Sequence, residues 1–296
     1  MNQNEREQRI KLERLAGERD DLILRTDRNV PVLVSSDFRN LKGIRAGFST
    51  RLGGVSEGYL ASLNLGLTLG DETDHLKENY RRFADALSLD ADRISCPDQV
   101  HDDRILIATE KDAGDGINRE RTHFRIDAQI TEIPELPLIV YAADCVPILF
   151  ADPVRRVVGT AHAGWRGSVS GIAAKVVRKM AETFGCREEN VHAMIGPSAG
   201  PEGYEVDHTV RDAVLSCSFL EDAGECLRPS ADPEHWMLDL WMLNRKILCA
   251  AGVPEEQISC IGLSTLAYPD IFFSHRRSNG KRGLNAGMVA IAPDGD

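Results

Sequence analysis

The 296-residue chain lacks the features that mark several broad classes of protein. No apolar run approaches the roughly 18 residues that a membrane-spanning helix needs, and the N-terminal residues have no apolar stretch of the signal-peptide kind. The chain has 35 Lys and Arg against 46 Asp and Glu, a formal net charge of −11. It therefore lacks the basic excess that nucleic-acid and anionic-membrane surfaces require. These absences favour a cytoplasmic protein whose partners are neither nucleic acid nor membrane.

Cysteine and histidine are also scarce. The seven cysteines are odd in number and form no Cys-x-x-Cys pair, so the sequence predicts no disulfide framework. The eight histidines include no His-x-His pair, which leaves little for a multinuclear copper cluster. What is present, 42% hydrophobic and 27% charged residues, is typical of a globular protein with a sizeable core.

Hydrophobic periodicity predicts helices and strands that interleave along the chain. Helical spacing predicts helices near residues 76–87, 168–184 and 239–250. Strand-like runs occur at residues 138–142, 146–150, 157–161, 191–195, 258–263 and 288–291. Because strands and helices do not alternate strictly, we predict an α+β fold, one domain with a sheet packed by helices.

Residues 136–167, LPLIVYAADCVPILFADPVRRVVGTAHAGWRG, predict a β-hairpin that carries a cysteine and a histidine. Two apolar runs flank a segment whose composition is that of a turn. A hairpin centred between Pro153 and Val154 places Cys145 directly opposite His162, with Cβ atoms ~5 Å apart on one face of the sheet. Two ligands at that separation can share one metal ion.

A third metal ligand is expected from another histidine. His101 lies in PDQVHDDRI before a strand-like run, in a setting similar to that of His162, and His123 is the second choice. Three ligands of the Cys-His-His type leave a fourth position open, which is typical of catalytic zinc sites. The same set suits copper with a weak axial ligand, but no convincing methionine is nearby, so we favour zinc. The alternative is a buried cysteine and a core histidine with structural roles only.

Six segments carry a family resemblance. In sequence order they are FSTRLGGVSEG with SLNLGLTLGD, DQVH, ADCVPILFADP, GTAHAGWRG, IGPSAGPEGYEV and FFSHRR. In this order they resemble the laccase-domain family, whose YfiH-like members have been described as multicopper polyphenol oxidases and as purine nucleoside phosphorylases. The resemblance covers roughly residues 44–291. On this basis we expect residues 1–40 to form a charged N-terminal extension and residues 41–296 to form the laccase-like domain.

The resemblance implies a metal site, a reaction and a fold. The family's zinc-binding His, Cys and His fall on His101, Cys145 and His162. The implied reaction is phosphorolysis of adenosine, inosine, guanosine and S-methyl-5′-thioadenosine, which consumes phosphate and releases the free base and ribose 1-phosphate. Adenosine deamination is implied as well. The implied fold is a single-domain α/β sandwich, with a mixed sheet flanked by helices, similar to that of a toxin-type cysteine hydrolase.

Polar residues inside the motifs are the candidates for catalysis and substrate binding. Besides Cys145, the catalytic candidate is Asp144, for proton transfer during deamination or, alternatively, for support of the metal ligand. Because a guanidinium pairs bidentately with phosphate, arginines of the motifs are the expected anion clamp. The candidate substrate-binding residues are Arg51, Asn64, Gln99, Arg166, Tyr204, Glu205 and Arg276.

Two other functions stay open on the sequence alone. One is a copper polyphenol oxidase of the laccase type, although Ser198 and Ala199 stand in a segment where the family often has cysteines. The other is a hydrolase, with Cys145 as nucleophile and His162 as base, or a metal-binding partner protein. The sequence leaves the preferred purine and the oligomeric state open.

Overall fold

Helices and strands interleave along the computed structural model, which describes residues 3–26 and 28–293. The α-helices are α1 (Gln3–Gly17), α2 (Ser36–Asn40), α3 (Thr73–Ala86), α4 (Trp165–Val169), α5 (Ile172–Phe184), α6 (His208–Leu215) and α7 (Leu240–Ala250). The strands are β1 (Leu22–Arg25), β2 (Val32–Ser35), β3 (Ile44–Ser49), β4 (Ile105–Ile107), β5 (Ala128–Thr131), β6 (Leu138–Ala142), β7 (Val146–Asp152), β8 (Val157–Ala163), β9 (His192–Ile195), β10 (Glu205–Val206), β11 (Leu227–Pro229), β12 (Trp236–Leu238), β13 (Ile258–Cys260) and β14 (Asn285–Ile291). None of the described helices has the length and apolarity of a membrane span.

Two β-sheets pack face to face at the centre of the fold. One is a five-stranded antiparallel sheet in the order β1-β2-β3-β14-β6. The other has six strands in the order β13-β9-β7-β8-β5-β4 and is mixed, because its two outermost pairs are parallel. Side chains such as Phe48, Leu149 and Val289 are buried between the sheets. A small sheet, β10-β12-β11, completes the described strands.

Helices cover the outer faces of both large sheets. Along β7, Leu149 faces the space between the sheets, whereas Ile148 and Phe150 belong to a second core shared with α5 and α7. This alternation follows from the two-residue period of a strand. On the other side, Tyr80 and Phe83 of α3 pack against residues of β6 and β14. The four layers confirm the predicted α+β sandwich, with two sheets at its centre.

The predicted helix over residues 168–184 is divided in two. α4 ends at Val169, and α5 begins at Ile172 after Gly171, whose φ of 73° is left-handed. α5 ends at Phe184 and is capped by Gly185, which is also left-handed, as expected of a C-terminal glycine. The break separates the short helix that follows β8 from the long helix that covers the sheet.

The N-terminal residues contribute to the same fold. Residues 1–40 supply α1, α2 and the strands β1 and β2 at one edge of the five-stranded sheet. Leu12 of α1 is fully buried, and the Lys11 ammonium donates to the Asp270 carboxylate at 2.7 Å. The division into an extension of residues 1–40 and a domain of residues 41–296 stays a prediction.

The β7–β8 hairpin forms as predicted but in a different register. Pro147, and not Cys145, pairs with His162, so the predicted pairing is wrong by two residues. The hairpin is centred between Val154 and Arg155, one residue later than predicted, since Asp152 pairs with Val157. The Asp152 carboxylate accepts the N–H groups of Val154 and Arg155 and so stabilises this turn. A shift of two residues leaves side chains on the same face. Cys145, just before β7, therefore still lies on the His162 side.

Candidate metal centre and its cavity

Three side chains from separate segments converge at one end of the six-stranded sheet. The ligand atoms of His101, Cys145 and His162 all lie within 4.8 Å of one another. The two imidazole rings meet edge to face, with centroids 4.7 Å apart. Within residues 3–26 and 28–293, this is the one group of three or more His, Cys, Asp or Glu side chains placed to hold a metal ion. The three expected zinc ligands are therefore neighbours.

Local backbone geometry brings these three side chains together. His162 lies on β8, and Cys145 directly precedes β7, whereas His101 lies in a loop with a left-handed φ of 64°. Gly164 follows β8 and passes close to two of them. A Cβ at this position would lie 2.9 Å from Cys145 Sγ and 3.2 Å from His101 Cδ2. Only glycine leaves room for the cluster, which is the physical reason for the glycine in AHAGWRG.

A buried carboxylate, Asp127, holds the cluster from behind. It accepts a hydrogen bond from His162 Nδ1 at 2.8 Å. It also accepts the backbone N–H groups of Val100, His101 and Asp102 at 2.9–3.0 Å. One side chain thus positions both the His162 ring and the loop that carries His101. Asp127 was not predicted from the sequence, where it is marked only by its position directly before the buried strand β5.

The electrostatics of the cluster favour a charged thiolate. Burial acts to raise the pKa of Cys145, but the charge of His162 and hydrogen bonds with both histidines lower it to about 6. Burial acts to lower the pKa of His162, but the thiolate and Asp127 raise it to about 9. The pKa of Asp127 stays below its ordinary value, because hydrogen bonds from His162 and the backbone outweigh its burial.

These donors fit a transition-metal ion. A thiolate and two imidazoles are the ligands that zinc and copper prefer in proteins. Because His162 donates through Nδ1 to Asp127, its Nε2 is free to bind an ion. In metal sites, a ligand histidine commonly donates its other ring N–H to a carboxylate in this way. His123, the second choice for third ligand, lies elsewhere and bonds Asp112 at 2.8 Å.

A cavity of about 180 Å³ opens onto the cluster. Its further polar lining includes Asp98, Gln99, Arg121, Tyr141 and Arg282. Gln99 is the one predicted substrate-binding residue that lines it. Its amide exchanges two hydrogen bonds with the backbone of Tyr141, at 2.7 and 2.9 Å, so it fixes the cavity wall. The other lining residues named here were not predicted from the sequence.

Asp144, Tyr204 and Arg276 lie together beside the cluster and outside the lining of this cavity. The Arg276 guanidinium stacks over the Tyr204 ring at 4.8 Å, and burial together with the Cys145 thiolate raises the pKa of Tyr204 to about 12. Both carboxylate oxygens of Asp144 accept a hydrogen bond, one from the Thr265 hydroxyl at 2.6 Å and one from the backbone N–H of Arg276 at 2.7 Å. Asp144 thus ties the backbone next to Cys145 to the distant segments that carry Thr265 and Arg276.

The remaining predicted substrate-binding residues do not reach the cavity. Arg166 and Glu205 are exposed, and Arg166 stacks over the ring of the adjacent Trp165 at 4.1 Å. The Arg51 guanidinium donates to main-chain carbonyls, including that of Ala61 at 2.7 Å, and lies over the Phe273 ring. Arg51 thus fixes a loop, Arg166 and Glu205 lie at the surface, and a role in substrate binding stays a prediction for all three.

Asn64 belongs to a buried polar network, which we define as Ser56, Asn64, Asp71 and Asn79. The Asn64 amide donates to Asp71 at 2.8 Å, and its oxygen accepts the Leu284 N–H at 3.1 Å. The Ser56 hydroxyl donates to Asp71, and Asn79 donates to Ser56 and to the Asn64 carbonyl. The network joins the SLNLG segment to the chain near Leu284, two residues after Arg282.

The chain matches known proteins along most of its length. A family described as multi-copper polyphenol oxidoreductase laccase matches residues 45–292. The Bacillus subtilis protein named purine nucleoside phosphorylase YlmD is 38% identical over 254 residues, which cover 86% of this chain and 90% of that protein. The Escherichia coli protein named purine nucleoside phosphorylase YfiH is 34% identical over 245 residues, covering 83% and 93%.

Solved structures share the fold. The crystal structure of the Bacillus licheniformis hypothetical protein YfiH matches with a TM-score of 0.84 at 35% identity, over 90% of this chain and 98% of that chain. YlmD from Geobacillus stearothermophilus matches with a TM-score of 0.83 at 34% identity, over 90% and 97%. The shared fold therefore extends over nine-tenths of this chain.

Proposed function

The chain belongs to the multi-copper polyphenol oxidoreductase laccase family, and on that premise we propose that it is a zinc-dependent purine nucleoside phosphorylase. The resemblance drawn from the six sequence motifs is thereby confirmed. The substrates proposed are adenosine, inosine, guanosine and S-methyl-5′-thioadenosine, each with phosphate. The observation that carries the proposal is the His101, Cys145 and His162 cluster, which opens onto a cavity in a chain similar to proteins named as such phosphorylases.

Zinc is the metal proposed for this site. His101, Cys145 and His162 would hold it, with Asp127 supporting His162, and a bound zinc ion supplies a Lewis acid beside the substrate. The family description favours copper as the second candidate, together with a phenol oxidase activity. A multinuclear copper centre needs further soft or imidazole ligands, and the described residues offer a single cluster of three.

The residues around the cluster support phosphorolysis by positioning the substrate. In this reaction a phosphate oxygen bonds to C1′ of the sugar while the C1′–N9 bond breaks, and the purine leaves with the electron pair and takes up a proton. Gln99 holds the Tyr141 segment of the cavity wall against which the nucleoside would bind. Because both Asp144 oxygens are engaged, we assign this carboxylate to positioning the strand end at Cys145. Its proton-transfer role stays a prediction.

Deamination of adenosine is proposed as a second activity of the same cavity. Water adds at C6 of the purine, and ammonia leaves from the same carbon. The support is that the three candidate metal ligands line the cavity that would hold the nucleoside. The activity needs no phosphate, so the two reactions separate by their requirement for phosphate.

A Cys–His hydrolase is the alternative that one observation favours. In the protein without an ion, the Cys145 thiolate faces protonated His162, and Asp127 accepts from His162 Nδ1. This is the order of nucleophile, base and orienting carboxylate found in thiol hydrolases. Such an activity would survive removal of the metal, whereas the proposed phosphorylase would not.

The test is chromatography of adenosine incubated with metal-analysed protein, with and without phosphate. We expect adenine only with phosphate, inosine without it, one zinc per chain, and loss of both products in Cys145→Ser and His101→Ala. His123→Ala is the matched control, because this histidine bonds Asp112 outside the cluster. Full activity in folded Cys145→Ser would contradict the proposal. Activity that survives chelation would support the hydrolase.

A further inference from the structure

Two arginines line the cavity, and their charges are balanced differently. Arg121 donates to the Asp98 carboxylate at 3.3 Å, so its charge has a counterion. Arg282 is half-buried, and its buried Nε has no hydrogen-bond partner. In the part of the chain that the structure describes, no ion pair engages the Arg282 guanidinium. The cavity therefore contains one guanidinium that, among the described residues, is held in no ion pair and has a free donor.

An uncompensated guanidinium in a cavity is unfavourable unless a ligand supplies the anion. A buried donor without a partner loses its hydration and gains nothing in exchange, and the penalty is larger for a charged group. Burial lowers the pKa of Arg282, and Asp144 and Cys145 only partly oppose this effect. The chain as a whole carries −11, so the positive charge in this cavity is a local feature of the fold.

The backbone next to Arg282 is held firmly. Leu284 donates its N–H to Asn64 at 3.1 Å. A Cβ at Gly283 would lie 2.7 Å from the Phe273 ring and 2.9 Å from the Asn64 side-chain oxygen, so this close approach requires glycine. The buried polar network thus fixes the segment from which Arg282 reaches the cavity.

We propose that Arg282 binds a phosphoryl group in this cavity, namely the inorganic phosphate that attacks C1′. This inference rests on the proposed phosphorolysis and names its anion site. A guanidinium offers two parallel N–H donors that match two phosphate oxygens, and it keeps its proton throughout the reaction. Arg51, Arg166 and Arg276, the arginines predicted to bind substrate, lie outside the cavity lining, which leaves Arg282 as the arginine with a free donor there.

The kinetic test varies phosphate at saturating adenosine in Arg282→Gln, Arg282→Lys and Lys281→Gln. Loss of a charge-assisted pair should raise the KM for phosphate about 10- to 100-fold in Arg282→Gln, with less effect on the KM for adenosine. Arg282→Lys keeps the charge but loses the paired donors, so its KM for phosphate should lie between those of wild type and Arg282→Gln. Lys281 is exposed and stacks over Tyr59, so Lys281→Gln removes a neighbouring charge as the matched control. An unchanged KM for phosphate in folded Arg282→Gln would overturn the inference.

Calorimetric titration distinguishes the two sources of a phosphoryl group. Wild type and Arg282→Gln are each titrated with inorganic phosphate and with adenosine 5′-monophosphate. Loss of phosphate binding in the variant supports the free anion. If the variant loses only nucleotide binding, the co-substrate assignment is overturned and the site belongs to a nucleotide. If the variant still binds both ligands, the site itself is overturned. Because titration needs no turnover, failure of the proposed phosphorylase activity leaves this test intact.

Discussion

Two buried polar clusters of this molecule differ in how completely their hydrogen bonds are satisfied. In the buried polar network, the Asn79 side chain accepts the Val55 N–H and donates to the Ser56 hydroxyl and to two main-chain carbonyls. The Asp71 carboxylate accepts hydrogen bonds from two side chains. The three candidate metal ligands instead direct their donor atoms at one point beside a cavity. A polar cluster with complete hydrogen bonds holds the fold, and one with incomplete bonds is available to a ligand.

Asp127 links the two kinds of cluster. Its own hydrogen bonds are complete, as in the buried polar network, yet they fix a loop and a ring whose remaining donor atoms are free. The comparison therefore separates residues that bind from residues that position, and it predicts different outcomes when each kind is changed.

The largest effect is expected from removing a candidate metal ligand. Cys145→Ser should lose the bound ion and, with it, several kcal/mol of transition-state stabilisation, on the order of 1,000-fold in kcat/KM. The free energy of unfolding of the metal-free protein should fall less than in a variant of the buried polar network, because a serine hydroxyl can still hydrogen-bond the two histidines. Metal analysis measures the loss of the ion, and adenosine turnover measures the loss of kcat/KM. Urea unfolding of the metal-free protein measures the change in stability. A large loss of metal-free stability would break the comparison.

The thiolate should be unusually reactive when the ion is removed. With a pKa of about 6, Cys145 is mostly ionised at pH 7, so alkylation should be about 10- to 100-fold faster than that of an ordinary cysteine with a pKa near 8.5. The rate should fall as the pH drops through 6, because protonation removes the nucleophile. Mass spectrometry of chelator-treated protein, alkylated between pH 5 and 9, measures this profile. A midpoint of the alkylation rate near pH 8.5 would contradict an ion pair between the Cys145 thiolate and His162.

Changing the supporting carboxylate should weaken metal binding without abolishing it. Asp127→Asn keeps the shape but loses the charge that orients His162, so the affinity for zinc should fall about 10- to 100-fold. Competition with a chromogenic chelator measures the affinity. Asp112→Asn, which changes the carboxylate beside His123, serves as the control and should leave it unchanged.

The smallest effect on the metal is expected from the buried polar network. Asn79→Ala leaves several buried partners unsatisfied, and the free energy of unfolding should fall by about 2–3 kcal/mol. The folded variant should still bind one zinc ion. Denaturant unfolding and metal analysis of the same sample make this comparison, and loss of zinc at unchanged stability would reverse the roles of the two clusters.

The sequence predicts which residue types the site contains better than it predicts their partners. Neighbouring Cys145 and His162 follow from the hairpin even with its register wrong by two residues, because a shift of two keeps the face. Asn64 was expected to bind substrate, yet its donors and acceptors are used by residues distant in sequence, such as Leu284. Arg282 was missed for the converse reason, because an unsatisfied side chain is recognised only once its surroundings are known.

The position of β14 has a consequence for how the chain folds during synthesis. β14 lies between β3 and β6, although β3 ends at Ser49 and β14 begins at Asn285. Until β14 is made, β3 and β6 each present an open backbone edge that can pair with another chain. Pairing over so long a separation is also slow, because a large loop must be closed first. Arg282 lies three residues before this strand, so the cavity is completed in the same late step that closes the sheet.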